Sequence, residues 1–319
     1  MNLFSLVKRR GKGAGTTADN RLSLNPAASA EDLQYCKIIA DARSAASASI
    51  QSQARKRLQQ MMAVIPSGTT HLEPNSLAEH NAGHPEPIAV KAFYIDRLAV
   101  TNAEYDVFVS SGIYDDMELW PMEVWQHVLQ FVDRSGLPGP QSWSGGKPPR
   151  DRLRHPVIGI SWYEAMAYAN WVGKRLPDAA QWQRSASWHT GQNGQQTALR
   201  HPWGNSFDST KANTWSSGVG STVPVDKYHE GCTPNGVHQL IGNVWEWIDG
   251  AFVAPWNENH LLGGYAEIRG GAFDTYFESQ TRIQFRSGQP LLFRGGNVGF
   301  RCCIHLDEVQ IAPQATATA

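Results

Sequence analysis

The spacing of hydrophobic and polar positions changes along the chain and divides it. Residues 1–28 show little apolar periodicity and are rich in Gly, Ser, Asn and basic side chains, which predicts a disordered basic tail. From Glu31 to Met62 there is no Gly or Pro, and Leu33, Cys36, Ile39, Ala42, Ala46, Ile50, Ala54 and Leu58 recur at three- or four-residue steps. That pattern predicts a long helix over 29–62, capped by Ser29 with Asp32 three residues on. Its stripe is made mostly of small residues, so it packs closely on something. Two readings stay open: a helix folded back on its own domain, or an arm that binds a partner or a second copy.

Past Pro66 the pattern becomes one of short strands, turns and two main helices. Residues 88–98 (IAVKAFYIDRL) alternate like a half-buried strand. Thr101 and Glu104 form a capping-box pair ahead of a short helix with Tyr105 and Phe108 on one face. Residues 113–150 read as an irregular insertion. The run HPVIGISWYEAMAYANWVGKRLP (155–177) predicts a short strand, a Ser161 cap with Glu164 at the third helical position, and a helix ending near Gly173. A second helix is expected from Asp178 to Trp188. Turns and short strands follow to residue 306, and 307–319 reads as a flexible tail. The expectation is α+β, with one unit over 63–306.

Composition sharpens this picture. Of 319 residues only 18% are charged, while there are 12 Trp and 29 Gly. That balance suits a loop-rich domain pinned by aromatic rings, not a helical bundle. The net charge of −1 gives nucleic-acid binding no global support. The charge is uneven: residues 1–60 hold ten Lys/Arg against four Asp/Glu, and the remainder holds 18 against 25. The opening MNLFSLVKRRGKG places its bases after a short apolar run, the reverse of a secretory signal, and no run reaches the ~18–20 apolar residues of a membrane span. A cytoplasmic protein is expected. Cys36, Cys232, Cys302 and Cys303 show no zinc spacing, and the adjacent pair would point to opposite faces of a strand. Free thiols are the expectation.

Several segments matter as an ordered set: MMAVIPSG, TNAEYDVF, HPVIGISWYEAMAYANWVGKRLP, HPWGNSF, PNGVHQLIGNVWEW, RGGAF and GGNVGFR. Together they resemble the formylglycine-generating enzyme (sulfatase-modifying factor) superfamily. That group also holds the C-terminal domain of hercynine oxygenases, pyoverdine-maturation proteins and the variable proteins of retroelements. The resemblance covers about 61–306 and implies a C-type-lectin-like fold. Within GNVWEW, alternation would bury Trp245 and Trp247 together with Glu246 turned the other way. By resemblance a structural calcium would take Gln239, the carbonyls of Gly242 and Val244, and Glu246. A second calcium loop would lie at Asn213 and Thr214, but GVGSTVPVD lacks the Asp it needs.

Copper is not expected. The superfamily's two copper-binding cysteines fall five and ten residues after the Gly at position 270, where this chain has Thr275 and Gln280. Iron is the alternative, through the loop histidines His71, His80 and His84. The glycines at 270, 271, 295, 296 and 299 suit positive φ or close backbone approach, not a phosphate loop. Arg175, Arg269, Arg282, Arg286 and Arg301 read as struts among the tryptophans, with an anionic ligand as the alternative for one or two.

By resemblance, the stretch after RGGAF is a ligand-facing surface. Its candidate binding residues are Asp274, Tyr276, Phe277, Glu278, Arg282, Arg286 and Arg294, while Phe273, Phe285 and Phe300 should complete the core. Tyr, Phe and Arg are the side chains interaction surfaces favour. The leading reading is a non-copper member that binds a protein or small-molecule ligand through 274–294. The alternatives are an oxidoreductase with non-haem-iron or other chemistry, and an assembly component acting through the N-terminal helix.

Overall fold

The computed structural model describes residues 48–72, 87–188, 199–252 and 264–305. The expected basic tail, the first part of the long helix, Cys36, His80, His84 and the C-terminal tail lie outside the described residues. Helix α1 (Ala48–Met61) is the described part of the long helix. Ala54 and Leu58 on its inner face are buried against Met62 and Ile304, so this part lies on its own domain.

Strands β1 (Met62–Ile65) and β2 (Gly68–Thr70) follow. The alternating run expected at 88–98 is two strands, β3 (Ile88–Val90) and β4 (Phe93–Asp96). The break lets the chain change sheets, since β3 pairs with β2 while β4 pairs antiparallel with β1. Helix α2 (Asn102–Ser110) carries the full Thr101–Glu104 capping box. The insertion contributes three-residue helical turns and the short α3 (Trp125–Val128).

The apolar run before Ser161 is not a strand. Gly159 sits at φ +76°, which interrupts any ladder, and only a single bridge joins Pro156 to Thr101. Its backbone serves loops instead: Gln141 N donates to the Gly159 carbonyl, and the Gly159 N–H donates to Gly295. Helices α4 (Trp162–Trp171) and α5 (Ala179–Ser187) begin with capping boxes at Ser161–Glu164 and Asp178–Gln181.

The rest is loops around one sheet in the order β7-β6-β5-β8: β5 (Trp245–Ala251), β6 (Tyr265–Arg269), β7 (Ser287–Pro290) and β8 (Val298–Gly299). Strand β9 (Cys303–His305) closes the first sheet against β4.

Strand alternation divides the core. Trp245, Trp247, Ala266 and Ile268 face a cluster that holds Tyr105, Phe108, Trp143, Tyr168 and Phe300. Ile248 faces a second cluster with Phe93, Ile95 and Trp182. Cys302 lies in the first and Cys303 in the second, the opposite-face placement expected of neighbours on an extended chain. Both are free and buried, and burial raises both thiols well above their usual range.

On the α5 side of the sheet, β5 and β6 present charges. Arg301 donates from Nε and Nη2 to the Glu246 carboxylate, with Nη2–Oε1 at 2.6 Å, and Trp182 Nε1 donates to Glu246 Oε2 at 2.8 Å. Arg269 and Arg286 share Glu267, and the Arg269 guanidinium lies 5.7 Å from the Trp182 ring. Four of the arginines along the C-terminal third are therefore struts, counting Arg294 on Glu164.

His238 borders this layer. Burial, reinforced by His229, Arg301 and Arg97 against the opposing Asp226, lowers its imidazole to about 4. An unfolded chain takes up that proton near the ordinary 6.5, so it gains protons before the folded one. Stability from this group is intact above about 6.5 and is lost as pH falls toward 4. His238→Gln is expected to flatten that part of the melting-temperature profile. Equal slopes in both proteins between those pH values would show that another group governs acid sensitivity.

Candidate functional site

The loop after β6 begins on glycine for a steric reason. Gly270 has φ +94°, and a Cβ there would sit 2.5 Å from the Leu240 carbonyl oxygen. The chain then folds tightly, with the Ala272 N–H donating to Thr275 Oγ1 (2.8 Å) and the Thr275 N–H donating to the Ala272 carbonyl. Thr275 is buried, so its two neighbours are pushed outward.

Tyr276 and Phe277 are 69% and 62% exposed, with ring centroids 5.3 Å apart in an edge arrangement. A third ring joins them from a distant loop. Trp215, 59% exposed, lies 6.1 Å from Tyr276, and its backbone N–H donates to the Thr275 carbonyl. Asp274 and Glu278 flank the rings and are exposed. Asn297 Nδ2 holds the Asp274 carboxylate at 3.0 Å.

The structure thus brings Asp274, Tyr276, Phe277 and Glu278 onto one exposed face. It does not bring Arg286 or Arg294 there. Arg294 donates to both oxygens of Glu164 and to the carbonyls of Val132 and Gly139. Arg286 is spent on Glu267. Arg282 is half-buried, and its buried Nε has no hydrogen-bond partner among the described residues. For Arg286 and Arg294 the physical reason is the cost of leaving Glu267 and Glu164 unpaired in the core. Phe300 completes the core as expected, and Phe285 packs against it half-buried. Phe273 is half-buried.

Trp215 is not among the expected site residues, since its segment is weighed above only for a second calcium loop at Asn213 and Thr214. An aromatic residue inside the Ser/Gly-rich WSSGVGS was the available signal.

The two side chains expected around calcium, Gln239 and Glu246, are each engaged by other groups of the protein. Both Glu246 oxygens receive Arg301. Gln239 Nε2 donates to the carbonyls of Pro224 and Lys227, and its Oε1 accepts from Asn243 Nδ2 at 2.7 Å. Asn243 Oδ1 accepts from the Val223 N–H and from Asn213 Nδ2, and Asn213 Oδ1 accepts from Ser217. Gln239, Asn243 and Asn213 form a linked polar buckle, and with Glu246 held by Arg301 the side chains as arranged do not fit a hard-cation shell, which needs ~6–8 free oxygens. Gly242 completes the buckle, because a Cβ there would meet the Asn213 carbonyl oxygen at 2.5 Å.

No group of three or more His, Cys, Asp or Glu among the described residues is placed to hold a metal. His71 is described and half-buried, while its two expected partners are not among the described residues. No helix among the described residues is long and apolar enough to cross a membrane.

Comparisons with known proteins agree with this architecture. The hercynine oxygenase of Mycobacterium tuberculosis is 32% identical over 223 residues, covering 63% of this chain and 49% of that protein. The chain thus spans about half the length of that relative. The formylglycine-generating enzyme of Thermomonospora curvata is 29% identical over 289 residues, covering 76% of this chain and 92% of that one. Among solved structures, PvdO from Pseudomonas aeruginosa matches with a TM-score of 0.53 at 21% identity, covering 77% of this chain and 94% of that chain. At that identity the likeness is one of fold. The family model for the sulfatase-modifying factor enzyme 1-like domain matches residues 46–306, and the chain belongs to that family.

Proposed function

We propose that this protein is a binding or accessory member of its family, working through the face of Trp215, Asp274, Tyr276, Phe277 and Glu278 without copper chemistry. The observation that carries the reading is the row of three exposed rings, with Tyr276 in contact with both Trp215 and Phe277. Large aromatic side chains left in solvent at one spot are characteristic of recognition sites. Asp274 and Glu278 beside them favour a ligand that is apolar and carries positive charge, since ring faces and carboxylates both attract cations. Thr275 and Gln280 support the absence of copper chemistry, because neither offers a thiolate. Cys302 and Cys303 are buried in separate clusters and do not replace them.

The test uses the full chain against a displayed library of random peptides. The wild-type protein is expected to enrich sequences combining apolar and basic residues. Trp215→Ala, Tyr276→Ala and Phe277→Ala together should weaken the selected peptides by about 30-fold or more, the equivalent of roughly 2 kcal/mol. Equal binding by the triple variant removes this face from consideration.

The hercynine oxygenase relative favours a second reading, an oxidoreductase, in which His71 with His80 and His84 would hold iron. Stoichiometric iron in the purified protein, lost in His71→Ala, would support it over the binding module.

A further inference from the structure

A second exposed apolar face lies on the insertion, formed by residues 117–129. Its inner side is orderly: Trp120, Val124 and Val128, spaced by four, are buried with Phe131. The outer side of such a segment is ordinarily polar. Here Met122 is 76% exposed and Leu129 87%, and Met117 and Trp125 are exposed beside them. Trp125 is fixed in place, with its Nε1 donating to the Trp120 carbonyl at 2.9 Å.

Acidic residues are interleaved with this face. Asp115, Asp116, Glu118 and Glu123 are all exposed, and there is no Lys or Arg from residue 98 to residue 133. None of the four carboxylates forms an ion pair with a described residue. A partner that combines apolar side chains with positive charge therefore complements this face.

One segment of this chain has that composition. Residues 3–12 read LFSLVKRRGK: four apolar residues (Leu3, Phe4, Leu6, Val7), then four bases (Lys8, Arg9, Arg10, Lys12). The face offers a matching set of four exposed apolar residues and four carboxylates. The intervening chain does not limit reach. From Lys12 to Ala48, where the described residues begin, 35 residues can span roughly 115 Å when extended. The radius of gyration of a domain this size is roughly 18 Å.

We propose that residues 3–12 dock on the 117–129 face of the same molecule, apolar side chains over Met122, Trp125 and Leu129 and bases on the four carboxylates. The proposal is independent of the aromatic face at 274–278.

The test is zero-length carbodiimide cross-linking of the full chain, read by mass spectrometry. It is run on a mixture of unlabelled and ¹⁵N-labelled protein. The expected products are amides between Lys8 or Lys12 and Asp115, Asp116, Glu118 or Glu123, within single-label molecules. Arg9→Glu with Arg10→Glu keeps both lysines and leaves the folded domain untouched; it should reduce these products at least tenfold. Met122→Ser, Trp125→Ser and Leu129→Ser keep every carboxylate. With the melting temperature unchanged, this triple variant should also reduce them at least tenfold.

Absence of the products in wild-type protein would overturn the proposal. So would products insensitive to the triple serine variant, which would mean charge attraction alone. Mainly mixed-label products would also overturn it, by assigning the face to a second copy.

Discussion

Arg301→Met is expected to lower the unfolding free energy by about 3–5 kcal/mol, the usual cost of breaking one side of a buried ion pair. Arg301 is fully buried and Glu246 almost so. Methionine fills similar space but donates nothing. Glu246 would keep only Trp182 Nε1, and the carbonyls of Asp96 and His238 would lose their donor. Adding Glu246→Gln removes the stranded charge while keeping an acceptor for Trp182. The double variant should therefore be more stable than Arg301→Met alone. Additive losses in urea unfolding would instead mean that the two residues act independently.

The same pair bears on the calcium expectation. A calcium ion at a hundredfold its dissociation constant contributes about 2.7 kcal/mol. With both Glu246 oxygens on Arg301, a calcium chelator is expected to leave the melting temperature of the full chain unchanged. A clear drop would show that a metal competes with Arg301 for this carboxylate.

Much of the scaffold was legible in the sequence because local chemistry governs it. The pairs Thr101–Glu104 and Ser161–Glu164 each state a helix start within four residues, and each box formed as read. Alternation in Trp245–Glu246–Trp247 placed the carboxylate opposite the two rings without knowledge of the sheet. What was not legible depends on partners far along the chain. Glu246 reads equally well as a calcium ligand or an ion-pair partner, and the approach of Arg301, 55 residues later, leaves no trace in local spacing. Arg294 looked like a surface base because its partner Glu164 is 130 residues away and already explained as a cap. Trp215 joins Tyr276 through a backbone bond to Thr275 that leaves no trace in spacing. The strand expected before Ser161 does not form for a local reason, the positive φ of Gly159 that interrupts it.

Glu164 carries the second large effect, and the isosteric change is its sharpest test. Its carboxylate is fully buried and joins three parts of the molecule. Oε2 accepts from the Ser161 N–H (2.8 Å), closing the cap of α4, and from Arg294 Nε (2.9 Å). Oε1 accepts from the Tyr114 hydroxyl (2.8 Å) and Arg294 Nη2 (2.9 Å). Burial, followed by the Glu164 charge, raises the phenols of Tyr105 and Tyr114 well above their usual range, so both remain donors. Glu164→Gln preserves shape but turns one acceptor into a donor. On either side that amide meets an arginine N–H and a second donor, and Arg294 is left largely buried without its counter-charge. The expected loss is about 3–5 kcal/mol, close to that of outright removal. Ser161→Ala, which loses only the cap, should cost about 0.5–2 kcal/mol. If Glu164→Gln falls within that smaller range in urea unfolding, the residue is a cap and Arg294 has no need of it. If it reaches the larger one, Arg294 is the post that ties the 291–296 loop to α4 and the insertion. It is then unavailable to any ligand on the neighbouring face, whose recognition must come from its rings and carboxylates.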